Sequence, residues 1–163
     1  MLPYVVSRNT KLQSFQYKIL NRVVGCRKNL ELWKLIGSNL CPDCEVIETI
    51  EHRFYECHSS RLLWNNFERW FNNATDVHIK LDGLTILLGT RNENNNDILH
   101  LLDFCVLIGK WYIHREKQQE RSISFIGFLF ELKSHVEIEK YQSYIDGNFD
   151  LFKAKWKVLH DCL

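Results

Sequence analysis

Apolar residues recur at three- and four-residue intervals over most of the chain, a period that predicts helices rather than strands. Leu12, Phe15, Ile19, Val23 and Cys26 share one face of a helix predicted over residues 10–24, capped by Thr10 and stopped by Gly25. A second short helix over residues 29–36 carries Leu30, Trp33 and Leu35 and closes at Gly37. Ser59 or Ser60 caps a third over residues 61–71, with Leu63, Trp64, Phe67, Trp70 and Phe71. Residues 72–80 read as a loop, 81–88 as a short apolar element stopped by Gly89, and 91–96 as a polar, mobile connection. Asp97 caps the most apolar helix, residues 98–117, whose one polar stripe holds Asp103, Lys110, His114 and Lys117. A long helix follows over residues 122–145, then a turn at Asp146-Gly147-Asn148. A last helix over residues 149–160 presents Phe152, Trp156 and Leu159.

The pattern fails only over residues 38–60, which hold three of the six cysteines and five acids. The expected fold class is therefore mostly α, a helical bundle with a small inserted zinc-binding segment. Residues 1–72 form a basic helix pair plus that segment, and residues 73–163 form a helical region packed on it as one unit. The composition supports an ordered fold: 45% of the 163 residues are hydrophobic, 25% are charged, and only two are proline. There is no fixed-period repeat. The start, MLPYVVSR, lacks a basic n-region and has only a short apolar run, so no secretion signal is expected. The most apolar window, residues 98–113, contains His100, Asp103 and Lys110, which argues against a membrane span. An intracellular protein, nuclear or cytoplasmic, is the resulting expectation. In that setting six cysteines suit metal ligation and core packing better than disulfides.

Cys41, Cys44, His52 and Cys57 are spaced C-x2-C-x7-H-x4-C. Two sulfurs two residues apart suit a tight turn aimed at one ion, and Pro42 favours such a turn. His52 and Cys57, supplied from a following helical turn, complete a tetrahedron. Four protein ligands leave no open position, so the reading is one structural Zn²⁺. His58 adjoins Cys57 and competes as fourth ligand; three thiolates with one histidine is the commoner zinc set, which favours Cys57. The plainer alternative is a group of ordinary buried thiols.

Phe15-Gln-Tyr-Lys-Ile-Leu20, the Cys41-x2-Cys44 turn, Glu48-Thr-Ile-Glu-His52-x4-Cys57 and Leu63-Trp64 follow in that order. Together they resemble the C-terminal zinc-binding domain of LINE-type (non-LTR) retrotransposon reverse transcriptases. Leu107-Ile-Gly-Lys110-x2-Ile113 and Phe152-x3-Trp156 look like the tail of the same polyproteins. The resemblance covers nearly the whole chain and is most specific over residues 10–71. It implies the metal ligands Cys41, Cys44, His52 and Cys57, and a non-catalytic role in holding template RNA or target DNA during target-primed reverse transcription. Other parts of such a polyprotein are implied partners. The chain has no Tyr/Phe-x-Asp-Asp polymerase motif and no acidic and histidine set placed for an endonuclease, so no enzymatic activity is expected.

Charge is what separates the zinc segment from its neighbour. The total is +1, yet residues 1–40 sum to +6 and residues 41–60 to −4. Three thiolates around Zn²⁺ with Glu45, Glu48, Glu51 and Glu56 nearby would repel phosphate, so the zinc is expected to be architectural. The better track for RNA, or for single- or double-stranded DNA, is the ridge Lys11, Lys18 and Arg22, with Arg27, Lys28 and Lys34 beyond it. Tyr17 or Trp33 could stack on an unpaired base. The alternative is a solvated face, or one that pairs internally with the acidic segment. A protein-interaction module without nucleic-acid binding is the second functional reading. The stripe Lys110, His114 and Lys117 is a weaker nucleic-acid candidate. Cys26 and Cys105 read as core residues, His78 and His100 as isolated groups, and Cys162 as a free terminal thiol.

Overall fold

A computed structural model describes residues 6–90 and 96–159. Seven α-helices and one π-helical turn make up the described chain: α1 Thr10–Leu20, α2 Arg27–Leu32, the π turn His52–Glu56, α3 His58–Thr75, α4 Gly83–Leu88, α5 Asp97–Gln118, α6 Phe125–Ile145 and α7 Phe149–Trp156. Among the described residues there is no strand, only an isolated antiparallel bridge between Leu40 and Ile47. No helix in them is long and apolar enough to cross a membrane. The expected connection at residues 91–96 lies outside the described residues apart from Asn96, as do His160 and Cys162.

Helix α5 is the centre of the fold. Residues 101–110 are buried without interruption, and α1, α4, α6, α7 and the π turn all pack on it. One core runs from Val6 to Leu159 and draws on both halves of the chain. Rings lock edge to face inside it: Phe67 against Phe128 at 5.6 Å, Trp64 against Phe67 at 5.9 Å, and Phe104 against Trp156 at 5.5 Å. Gly109 is what lets α3 approach α5, because a Cβ there would stand 2.5 Å from the Trp64 ring. Trp64 is held in place by its indole N–H, which donates to the Phe54 carbonyl at 2.6 Å.

Several helix ends differ from the sequence expectation. Asn9, not Thr10, caps α1 by accepting from the Lys11 and Leu12 amides. That helix stops at Leu20, before Val24, because Arg22 adopts a left-handed φ of 61°. The Val23 amide then reaches Lys18 O and the Arg22 amide reaches Ile19 O, a Schellman closure. Lys34 and Glu120 end α2 and α5 in the same way, with φ of 59° and 53°. Gly25 and Gly37 are therefore not the stops. Helix α3 starts at His58 and reaches Thr75, absorbing part of the expected loop, and Ser60 donates to the Arg53 carbonyl instead of capping. Asn96 and Ser124, rather than Asp97 and the residues before 124, cap α5 and α6.

The polar stripe of α5 is not a surface at all. Asp103 accepts from the Thr90 amide at 2.7 Å and hydroxyl at 3.0 Å. Lys110 donates to Gln16 Oε1 at 2.6 Å and to the Leu87 carbonyl at 3.2 Å. His114 meets Arg53 Nη1 at 2.8 Å, and Lys117 turns into the thiol cluster described below. Each group faces inward because a distant segment supplies its partner, so the stripe offers no track for phosphates.

Burial pushes the Lys110 ammonium down to about 7, with the Asp103 charge offsetting only part of the shift. The unfolded chain therefore holds this proton at pH values where the folded chain has released it. Stability is expected to rise as pH goes from about 7 to about 10.5, the span between the folded and unfolded values. Lys110→Met should flatten that slope in urea titrations across the window; an unchanged slope would assign it to other groups.

Candidate metal centre

Residues 38–57 contribute little apolar mass, so their shape is set by hydrogen bonds and sulfur. The Cys41 amide donates to Val46 O at 2.8 Å and the Glu45 amide to Cys41 O at 2.9 Å, closing a tight knuckle. Glu45 takes a left-handed φ of 56° at its tip. The knuckle turns the Cys41 and Cys44 sulfurs to the same side. The chain next forms the π turn, closed by the Cys57 amide donating to His52 O at 2.8 Å. In an α-helix, side chains five residues apart diverge by about 140°. The wider i→i+5 turn brings His52 and Cys57 closer to one side. Cys57 then stands at the N-terminus of α3, where the helix dipole favours a thiolate.

One ligand atom from each of Cys41, Cys44, His52 and Cys57 lies within 4.8 Å of every other. Cys57 Sγ is 3.8 Å from Cys41 Sγ and 3.7 Å from Cys44 Sγ. These separations are too long for disulfides. They match the roughly 3.8 Å edge of a tetrahedron built on metal–sulfur bonds of about 2.3 Å. His52 Nε2 adds an independent sign. Among the described residues it is the buried side-chain nitrogen or oxygen that has no hydrogen-bond partner. Burial, then the Lys117 charge, holds the His52 imidazole below its ordinary value, so the nitrogen lone pair is available to an ion. The residues fit a metal ion. His58 is exposed on the first turn of α3 and lies outside the cluster, so the fourth position belongs to Cys57.

Lys117 was not legible as part of this centre. It arrives from the last turn of α5, its Nζ 3.1 Å from Cys57 Sγ, 3.6 Å from Cys41 Sγ and 3.2 Å from Asp43 Oδ2. Burial favours the neutral amine, but the adjacent sulfurs and Asp43 outweigh it and raise the lysine above its ordinary value. Burial likewise raises Cys57, yet Ser59 and Lys117 more than compensate, and the net shift is downward. Cys41, with weaker help, is pushed up to about 11 by burial. Three thiolates and a divalent ion carry one net negative charge, which the ammonium cancels.

Behind the cluster lies a second polar layer. Glu48 and Arg53 are almost wholly buried and paired, with Arg53 Nη2 2.7 Å and Nε 2.9 Å from Glu48 Oε1. The same carboxylate accepts the Arg27 amide at 2.9 Å, and Arg53 continues to His114 Nδ1. Burial, then the Arg53 and Lys18 charges, pushes His114 down to about 3, so its neutral ring accepts from the guanidinium. The sequence reading had counted Glu48 among the acids at the surface of the segment; it is internal.

The basic residues are arranged less uniformly than their spacing suggested. Lys11, Lys18, Lys28 and Lys34 are exposed. Arg22 pairs with Glu51 at 2.6 Å, and Arg27 pairs with Glu120 at 3.0 Å. The Arg22 hydrogen bond holds the Glu51 carboxyl below its ordinary range. Tyr17 is 59% exposed and Trp33 45%. Cys26 and Cys105 are buried in the core, His78 is exposed and His100 is half-buried. No family model, no curated protein and no solved structure matches the chain.

Arg53→Met should cost about 3–5 kcal/mol in denaturant unfolding of the metal-loaded chain, because it strands the Glu48 carboxylate in the interior. Adding Glu48→Gln should recover at least about 1 kcal/mol of that loss. Strictly additive losses would show that the two side chains are not coupled.

Proposed function

We propose that the chain is a non-catalytic helical module, stabilised by one structural zinc, that binds RNA or DNA. The observation that carries this reading is the Cys41/Cys44/His52/Cys57 cluster, whose sulfur spacings suit a tetrahedral ion. A donor set of three thiolates and one imidazole favours zinc over the oxygen-seeking cations. Four protein donors close the coordination sphere, so the ion's work is to join the knuckle, the π turn and the start of α3. The order of motifs around the ligands resembles the tail of LINE-type reverse transcriptases. By that resemblance the module would hold template RNA or target DNA beside a polymerase supplied by the rest of such a polyprotein. Charge neutralisation by Lys11, Lys18, Lys28 and Lys34, with stacking on Tyr17 or Trp33, is the chemistry available to it.

A second reading, a protein-interaction module, draws on one specific observation. Arg22 and Arg27 are already engaged by Glu51 and Glu120, so part of the basic ridge is spent inside the molecule.

Native mass spectrometry with and without a chelator should show one zinc per chain, lost together with the fold of residues 38–57. Titration with a short single-stranded RNA at rising salt should then show affinity that falls steeply. Replacing Lys11, Lys18, Lys28 and Lys34 by Gln should reduce the log–log salt slope by up to about 3. Zinc without any RNA or DNA binding at low salt would favour the interaction module; absence of zinc would remove the basis of the first reading.

A further inference from the structure

Helix α6 is apolar on two opposite faces, and the fold covers only one. Phe128 and Leu132 are fully buried against α3 and α5. On the other side, Ile126, Phe130, Tyr141 and Ile145 are each 69% exposed, Tyr144 is 58% exposed and Ile138 is 56% exposed. At 100° per residue these six fall within about 120° of one another, a continuous stripe along a helix of about 31 Å. Scattered surface apolar residues are ordinary, but six large ones on one helical face mark an interaction site. Each leaves roughly 100–150 Å² in water, so the stripe offers about 800 Å², one partner's share of a standard interface.

The order of residues along the stripe identifies the occupant. Ile126 and Phe130 lie at one end, and Tyr141, Tyr144 and Ile145 at the other. Between them, Lys133 and Glu137 edge the stripe, with Ser134 as its smallest side chain. A two-fold axis at the level of His135 sets Lys133 of one copy opposite Glu137 of the other, and the reverse. It also sets Ile126 near Tyr144 and Phe130 near Tyr141. The face is thus complementary to itself in both charge and shape when run antiparallel, which is the requirement of an isologous interface. The Glu137–Lys140 contact within one copy, at 3.5 Å, is exposed and weak, so Glu137 remains free to take a second cation. A membrane surface fits poorly: a helix lying on lipid keeps its charges on the face away from the apolar one, and here that face is buried in the core.

We infer that α6 is the dimerisation helix of this protein, pairing antiparallel with α6 of a second copy about an axis near His135. The inference stands apart from the metal and nucleic-acid readings, since none of the residues it uses belongs to either. Sedimentation velocity of the metal-loaded full chain from about 1 to 200 µM should show a reversible monomer–dimer equilibrium. Phe130→Glu with Tyr141→Glu should raise the dimer Kd at least about 100-fold, with circular dichroism and metal content unchanged because both side chains are exposed. Lys133→Glu alone should raise it about tenfold by facing two glutamates, and Lys133→Glu with Glu137→Lys should restore it to within about threefold. A monomer throughout the range would overturn the inference, as would a dimer indifferent to these variants. Monomers that instead cosediment with phosphatidylcholine vesicles would also overturn it, by giving the stripe to lipid.

Discussion

A buried arginine paired with a buried glutamate is an expensive object, and the placement of the metal segment depends on one. Glu48 and Arg53 lie on either side of the turn that leads to His52, with side chains 1% and 2% exposed. Removing two charges from water costs several kcal/mol per ion, and a simple pair rarely recovers it. Here the network is satisfied on all sides. The carboxylate takes three N–H groups, from Arg53 twice and from the Arg27 amide, while the guanidinium extends to His114 on α5. These bonds fix the π turn against the central helix, and the π turn fixes where His52 and Cys57 point. Ion binding then acts on ligands that already face one another. A structural zinc, as proposed, supplies roughly 10–16 kcal/mol in small peptides, enough to offset the desolvation of this layer.

Lys117 extends the same logic to the thiolates. Each sulfur is a poor base only if its charge is shared. The lysine reaches two of the three, and Asp43 holds the ammonium on its other side. The centre and its immediate shell can therefore be close to neutral, unlike the negative centre that thiolates and ion alone would make. The +6 and −4 halves of the first 60 residues also meet within the molecule, through Arg22 and Glu51. What remains outward is a smaller set of lysines. Recognition by this chain, whatever its partner, therefore rests on fewer free charges than the sequence counts, and the metal contributes by holding elements in place.

The helical class and the four ligands were legible because both are local signals. A 3.6-residue period and a C-x2-C-x7-H-x4-C spacing need no knowledge of distant contacts. Choosing Cys57 over His58 was also within reach, on the chemistry of zinc sets. The errors share one cause. The Asp103/Lys110/His114/Lys117 stripe has the periodicity of a solvated face, but Thr90, Gln16, Arg53 and Cys57 answer it from elsewhere in the chain. No window of sequence contains those partners. Helix ends went wrong more locally. Arg22, Lys34 and Glu120 occupy left-handed positions that glycine would take more cheaply, and the nearby Gly25 and Gly37 drew the prediction past them.

Helix α5 is where these observations converge. Its buried polar groups receive the metal segment on one side, through His114 and Lys117. One turn away, Arg115 pairs with Glu131 of α6 at 2.7 Å and with Glu116 at 3.1 Å. Glu116 in turn accepts Arg121, in the link that leads into α6. Four successive residues, His114 to Lys117, thus serve the metal segment and the α6 scaffold alternately. A helix can do this because neighbours in sequence point about 100° apart, so one turn addresses several directions. The consequence is mechanical: the metal centre and α6 are braced on the same turn of the most buried helix. The exposed lysines of α1 pack on that helix too, through Gln16 and Lys110. Surfaces that are far apart in sequence are held in a fixed relation by one apolar rod with a few satisfied charges inside it.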